Sequence, residues 1–337
     1  MILPSSIRSA LERLADGEAR TALAGRSRAL TATYQARQNS AQTVLTRQDA
    51  LAYALARMPA TYAAAQSAMH HLALALPTFE PASMIDVGCG PGSASFAALE
   101  VFPDLARIAL LDRNGPLLDL AATLLAAIDT PCRMEIARHD VQAKAAAALP
   151  ETDLIVASYV LAELDSSTRQ VLVAHLWSAT GTILLLVEPG TPDGFQRLKE
   201  ARNALIQAGG HVAAPCTHDA ICPMQGAEWC RFMVRVQRSR DHKLLKSASR
   251  PFEDEPFAYL AVSREKTSHR KTHRLITRPR QSKAALTIDI CGEEGRETHI
   301  IPSRDKRRFK HFKGLEWGDA VEILIQESLA EDEVTAR

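Results

Sequence analysis

Apolar positions follow two different rhythms along this chain. Over residues 4–76 they recur at helical spacing, as in Ile7, Leu11 and Leu14 and again in Leu51, Ala54, Leu55 and Met58. Helices are therefore expected there, with a break at Pro59 and a further helix running to Leu76. From 81 to 190 short apolar runs alternate with amphipathic ones. Strands are expected at 84–87, 107–111, 134–137, 153–158 and 182–187, and helices at 93–101, 116–128 and 166–179, with another at 195–208. Strands and helices alternating at this spacing build right-handed βαβ units and a parallel sheet, whose ligands bind at the carboxyl ends of the strands. After 210 the pattern changes again. Short strands are expected at 257–262, 274–277, 286–290 and 298–301, forming a small antiparallel sheet or barrel. An oligonucleotide-binding barrel would fit. The acidic stretch 327–337 reads as a frayed helix or disorder.

The expected fold is thus α/β. A helical region, 1–78, precedes a Rossmann-like domain, 79–210; a β-rich, cysteine-containing region, 211–325, and a polar tail, 326–337, follow. The helical region suits either a lid over a ligand or plain padding of the sheet.

Composition narrows the picture only slightly. The 337 residues contain 46% apolar side chains, enough for two cores, and the net charge of +1 names no partner. No apolar run reaches the roughly 18 residues of a membrane span, and the start M-I-L-P-S-S-I-R has no signal-peptide core. A protein without membrane contacts, monomeric when free, is expected, in the cytoplasm of a bacterium or the mitochondrial matrix of a eukaryote. The first forty residues are rich in Arg and Ala, as in a transit peptide, but Glu12, Asp16 and Glu18 favour folded structure. Six cysteines in a reducing compartment are not a disulfide framework.

The chemistry concentrates at the first strand. Asp86 opens D-V-G-C-G-P-G, in which Gly88, Gly90 and Gly92 let the backbone turn sharply and approach a ligand, and a helix N-terminus follows. The D-x-G-x-G-x-G spacing resembles motif I of class I S-adenosylmethionine (SAM) methyltransferases. Asp112, at the end of the second strand, is placed to accept both ribose hydroxyls. Asp140, after the third, is placed to take the adenine amino group. Asp86 can orient the turn or receive the cofactor's ammonium through water. For any one of these acids a helix cap is the plain alternative. After the fourth strand stands S-Y-V-L-A-E-L, without the Asn/Asp-Pro-Pro-aromatic box of amine methylation and without a nucleophilic cysteine. Tyr159 can stack on a base and Glu163 can act as a base, or the two simply pack and pair locally.

Four cysteines fall after residue 210: Cys216, Cys222, Cys230 and Cys291. No C-x-x-C knuckle of a typical zinc site is present. Four thiolates from an irregular loop and a distant strand suit an iron–sulfur cluster at least as well. Buried or incidental thiols are the alternative, and His211 or His218 could complete a zinc site. Cys89 and Cys132 read as structural.

P-C-T-H-D-A-I-C-P-M, E-W-C-R-F and L-L-K-S-A-S-R-P-F-E-D-E-P-F-A-Y-L make the chain resemble a known family, the methyltransferase-like proteins of the mitochondrial small ribosomal subunit and their bacterial relatives. R-M-P-A-T-Y-A-A, the glycine turn, A-S-Y-V-L-A-E-L, V-E-P-G-T-P-D-G-F and Trp317-Gly318-Asp319 extend the likeness over nearly the whole chain. It implies a SAM-binding fold, contact with small-subunit rRNA during ribosome assembly, and a [4Fe-4S] cluster on Cys216, Cys222, Cys230 and Cys291. Some members are thought to act without methyl transfer. Cys89 stands where the family often has Ala.

Positive charge is clustered late in the chain. Arg231–Arg280 holds fourteen Lys/Arg against five Asp/Glu, and R-D-K-R-R-F-K-H-F-K follows at 304–313. Such runs fit RNA phosphates, with Phe309 and Phe312 expected to stack on bases. A solvated charged face is the alternative.

Overall fold

The computed structural model describes residues 1–35, 43–141, 148–226, 228–246, 248–267 and 273–321. The chain forms two compact units. The first comprises Met1–Pro215 and Gln225–Thr267, the second Cys216–Met224 and Ser268–Arg337.

The first unit begins with α1 (Ser5–Asp16), α2 (Arg20–Gln35) and α3 (Arg47–Ala75). Thr46 caps α3: its hydroxyl accepts from Asp49 N (3.2 Å), and the Asp49 carboxylate accepts from Thr46 N (3.0 Å). The expected break at Pro59 does not occur, because Pro59 lies inside the continuous 29-residue helix. A mid-helix proline costs about 3 kcal/mol, but α3 is buried along most of its length, from Ala50 to Leu72. Packing of that Ala-rich surface outweighs the lost hydrogen bond.

Five parallel strands follow, β1 (Ser83–Val87), β2 (Arg107–Asp112), β3 (Arg133–Arg138), β4 (Thr152–Ser158) and β5 (Thr180–Pro189), in the order 3-2-1-4-5. They alternate with α4 (Ser93–Val101), α5 (Gly115–Leu125), α6 (Ser166–Ala179) and α7 (Pro192–Gln207). The sheet continues past β5 with β8 (Phe252–Ser263), antiparallel, then β6 (His211–Ala214). β7 (Phe232–Gln237) pairs with the first half of β8, and α8 (Arg240–Leu245) lies between them in sequence. The apolar run expected as a strand at 257–262 therefore belongs to this sheet rather than to a C-terminal one. Phe257, Ala258, Tyr259, Leu260, Ala261 and Val262 are all buried, and unbroken burial marks an interior strand covered on both faces.

The second unit contains β9 (His273–Leu275), β10 (Arg280–Gln281), β11 (Ala285–Gly292), β12 (Gly295–Pro302) and β13 (Ala320–Val321), paired antiparallel, with α9 (Lys306–Lys313) packed on β11 and β12. Its core is Leu275, Leu286, Ile288, Ile290, Ile301, Phe312 and Val321. Phe312 is 3% exposed, and Phe309 packs against the same cluster. The buried Phe312 ring is therefore a core anchor rather than a base-stacking platform, while Phe309, half-buried, packs one side against the same core. The acidic stretch 327–337 and the start of the basic run at 269–272 lie outside the described residues.

Candidate cofactor site

The glycine turn sits at the carboxyl end of β1. Gly88, Gly90 and Gly92 have φ of 67°, 54° and 89°, the left-handed region in which a Cβ is strained. Gly88 N and Cys89 N donate to Leu111 O at 2.7 and 3.1 Å, and Gly92 N donates to Cys89 O at 2.9 Å. At Gly88 a second constraint applies: a Cβ there would lie 2.4 Å from Val160 Cγ2. The cofactor turn and the turn after β4 thus interlock through a missing methyl group. Cys89 is buried beside them, as its structural reading requires.

Three acids stand where the sequence places them, in different states. Asp86 is 1% exposed; its Oδ2 accepts from Ser95 N (3.0 Å) and Ser95 Oγ (2.7 Å), pinning α4 to β1. Its Oδ1 is buried without a hydrogen bond. Burial pushes the Asp86 carboxyl up to about 7, with the Asp112 charge adding in the same direction. Asp112 is half-buried and holds the turn: Oδ2 accepts from Gly90 N and Oδ1 from Asn114 N, each at 2.8 Å. Asn114 in turn caps α5 through Leu117 N (3.0 Å) and donates to Val44 O (2.9 Å), tying the site to the segment before α3. Asp140 lies exposed just past β3.

The turn after β4 carries the strongest local distortion. Tyr159 is, among the described residues, the one non-glycine with positive φ (63°). A bulky side chain in that region is a genuine outlier, costing roughly 1–3 kcal/mol, and such strain collects at functional sites. Several contacts hold it. Tyr159 N donates to Val187 O (2.7 Å), its hydroxyl donates to Glu255 Oε1 (3.3 Å), and Arg57 of α3 approaches the same oxygen (3.7 Å). Burial and the neighbouring Glu255 push the Tyr159 phenol well above its usual range, so it stays protonated. Glu163 ends a 3-10 turn, Leu161–Glu163, and is half-buried. Sequence reasoning missed four residues here. Ser158 Oγ is buried at the end of β4 with no hydrogen-bond partner. Glu255 and Arg57 come from elements far away in sequence. Glu188, 0% exposed, ends β5 and pairs with Arg197 Nε of α7 at 2.7 Å. The available signal was the acid that terminates the apolar run before Pro189-Gly190.

In the second unit, the segment Cys216–Met224 packs apart from its chain neighbours and joins the C-terminal sheet. Cys291 Sγ lies 4.0 Å from His218 Nε2, and Pro223 Cβ lies 4.0 Å from where a Gly295 Cβ would be. The loop bearing Cys216 and Cys222 therefore rests on the β11–β12 hairpin bearing Cys291. Cys230 belongs to the first unit. Among the described residues, none of the six cysteines is joined in a disulfide. Among the described residues, no three His, Cys, Asp or Glu side chains converge on a single metal ion. Beside Cys291, the buried Asp289 accepts from Arg280 (2.7 Å), Thr298 (2.7 Å) and Thr277 (3.0 Å). Burial raises the Asp289 pKa, but the Arg280, Thr298 and Thr277 bonds outweigh it and hold the carboxyl below its ordinary value. Arg280 is thereby fixed at the surface. On α9, Lys306, Arg307, Lys310 and Lys313 are exposed, whereas Phe312 is buried and Phe309 half-buried.

A 3-2-1-4-5 parallel sheet, an antiparallel strand beside β5 and a D-x-G-x-G-x-G turn define a Rossmann-like protein with the class I methyltransferase fold. The chain belongs to the Rsm22 family, whose model, described as mitochondrial small ribosomal subunit Rsm22, matches residues 47–322. It is 28% identical over 294 residues to the human mitochondrial ribosome assembly protein METTL17, covering 81% of this chain and 62% of that one. To the mitochondrial Rsm22-cox11 tandem protein 2 of Schizosaccharomyces pombe it is 24% identical over 330 residues, covering 80% and 42%. The chain thus spans less than two thirds of these relatives' length. Among solved structures, magnesium protoporphyrin IX methyltransferase from Synechocystis, with bound SAH, matches at 14% identity and a TM-score of 0.39, covering 60% of this chain and 83% of that chain.

Proposed function

We propose that the chain is a SAM-binding, methyltransferase-like protein that docks on small-subunit rRNA during ribosome assembly. The observation that carries the cofactor reading is the buried, unpartnered Asp86 Oδ1 behind three left-handed glycines. A buried acceptor without a donor costs about 1–3 kcal/mol, and a cofactor ammonium, directly or through water, would satisfy it. The open side of Asp112 and the exposed Asp140 would receive the ribose and adenine. SAM, when bound, supplies an electrophilic methyl on a sulfonium.

The chain's own residues bear on whether transfer follows. Tyr159 is committed to Glu255 and is no base, which favours the reading in which the fold serves as a docking scaffold. Glu163 is the other candidate for the acceptor side. SAM binding without turnover on isolated small-subunit particles would support the scaffold; label transferred to rRNA would replace it with an enzyme.

The four thiols Cys216, Cys222, Cys230 and Cys291 are proposed to hold a [4Fe-4S] cluster. Three of them share the second unit, where the Cys216–Met224 loop rests on the Cys291 hairpin; Cys230 rests on the sequence resemblance alone. A bound cluster would supply a covalent clamp that keeps this loop in place. Anaerobically purified protein with about four irons per chain supports the cluster, one zinc replaces it with a zinc site, and absence of metal refutes it.

RNA contact is assigned to the exposed cations of α9 and to Arg280. Replacing Arg307, Lys310 and Lys313 by Ala should lower the slope of log K against log salt by about 2, at roughly 0.7 per lost phosphate contact on single strands. An unchanged slope removes α9 from the RNA interface.

A further inference from the structure

The C-terminal sheet has a face that its core does not use. Side chains alternate along β11: Leu286, Ile288 and Ile290 enter the core with Phe312 of α9, so Thr287 and Asp289 face the other way. Residues directly opposite in an antiparallel pair share a face. Arg280 and Ile300 stand opposite Thr287, and Thr298 stands opposite Asp289. All three therefore belong to this second face. Near the β11–β12 turn the face is covered, since Cys291 Sγ lies 4.0 Å from His218 Nε2. Away from the turn it is open: Thr298 is exposed, Arg280 keeps 57% of its side chain in solvent, and Ile300 is 69% exposed.

Asp289 organises this face from below. Its Oδ1 accepts from Thr298 Oγ1 (2.7 Å), and its Oδ2 accepts from Arg280 Nη1 (2.7 Å) and Thr277 Oγ1 (3.0 Å). Arg296, on the same face of β12, approaches Oδ2 at 3.8 Å. A pair that only pinned β10 to β11 would bury both partners. Here the carboxylate side chain is 3% exposed, but the guanidinium stays largely in solvent. Among the described residues, Arg280 donates only through Nη1, to Asp289 and Thr277. Its Nε–Nη2 edge, a fork that matches two phosphate oxygens, is unused. Because Asp289 already fixes the guanidinium, little rotamer freedom remains to be lost when an anion binds.

The neighbours of this fork narrow the kind of anion. On β12 a cation, a hydroxyl and an apolar side chain, Arg296, Thr298 and Ile300, follow one another on one face at steps of about 7 Å. A free phosphate needs the cation alone. A nucleic acid strand uses all three, with phosphate on the guanidinium, sugar at the hydroxyl and an unstacked base against the apolar surface. Unstacked bases belong to single-stranded segments, since a duplex offers mainly its backbone. We infer that this sheet face, on the side away from α9, is a second contact surface for single-stranded RNA, on which Arg280, fixed by Asp289, grips a phosphate and Ile300 packs against a base. The inference rests on the RNA reading above and adds to the cations of α9 a footprint across the sheet from them.

Fluorescence anisotropy of a labelled single-stranded RNA of ~12 nucleotides, titrated with the full chain between about 50 and about 200 mM salt, separates the two contacts. Arg280→Gln should weaken binding at least threefold and lower the slope of log K against log salt by about 0.7, one phosphate contact. Arg280→Lys keeps the charge without the fork, so it should restore the slope and only part of the affinity. Ile300→Ser, at an exposed position where folding is not at stake, should weaken binding about threefold with the slope unchanged. Affinity and slope unaltered in both Arg280→Gln and Ile300→Ser, while the α9 variants still lose affinity, overturn this surface and leave the RNA reading standing. Loss in Arg280→Gln alone marks a bare phosphate contact and overturns the strand assignment. Displacement of the RNA by a phosphoserine peptide as readily as by unlabelled RNA would replace RNA with a phosphoprotein and likewise overturn it. If the unaltered protein binds no RNA at about 50 mM salt, the RNA reading falls and takes this inference with it.

Discussion

Substituting Gly88 by Ala probes whether the interlock of the two turns is real. The new Cβ meets two penalties. At φ of 67° a left-handed backbone costs a non-glycine residue roughly 1–2 kcal/mol. At 2.4 Å from Val160 Cγ2 the methyl also overpacks, which typically costs about 1–3 kcal/mol. Val160 is β-branched and has few alternative rotamers with which to retreat. Gly88→Ala should therefore lose about 2–5 kcal/mol in urea unfolding at pH 8. Gly90→Ala is the internal control. Its φ is 54°, yet nothing lies within 4 Å of the added Cβ, so only the backbone cost applies, about 1–2 kcal/mol. Adding Val160→Ala should rescue Gly88→Ala and do nothing for Gly90→Ala, giving a coupling of about 1–3 kcal/mol in a double-mutant cycle. Equal losses for the two glycine variants, or no rescue by Val160→Ala, would show that the turns are not locked together here.

Two further outcomes follow from burial. Phe312→Ala should destabilise the second unit by about 3–5 kcal/mol, seen as faster amide exchange across β11 and β12, and Phe309→Ala by less; loss of RNA affinity with exchange unchanged would instead return the ring to a base-facing role. Asp86 has its folded pKa raised from 3.8 to about 7, so the folded state binds the proton more tightly than the unfolded one. Its contribution to stability is therefore lost as pH rises from about 4 to 7 and is constant above. Asp86→Asn should gain stability relative to the unaltered protein by on the order of 3 kcal/mol between pH 4.5 and 8; a pH-independent difference would refute the buried, charged Asp86.

Local sequence determined much of this protein. The apolar runs of β1, β2, β4 and β5 and the helix of α4 are set by residues within a few positions, and their boundaries fall close to where periodicity places them. The glycine turn is equally local, since three left-handed positions in a row of five strongly favour glycine. Asp112 and Asp140 follow from the rule that acids after parallel strands face the ligand edge. The family, too, was legible in the cysteine block and the glycine turn.

Tertiary structure alone decided the rest. Pro59 reads as a break until the surface buried by α3 is known, because packing energy is summed over contacts that no local window contains. The run at 257–262 is a good strand in either sheet, and its place beside β5 is chosen by pairing with a segment some seventy residues away in sequence. Phe309 and Phe312 are ambiguous among lysines until a sheet appears beneath them. The Tyr159–Glu255–Arg57 contacts and the Glu188–Arg197 pair unite residues from α3, β5, α7 and β8. Periodicity reports which face of an element is apolar. It carries no information about which distant charge a fold will bring to that face, and that juxtaposition is what joins a strained tyrosine to Glu255 and Arg57.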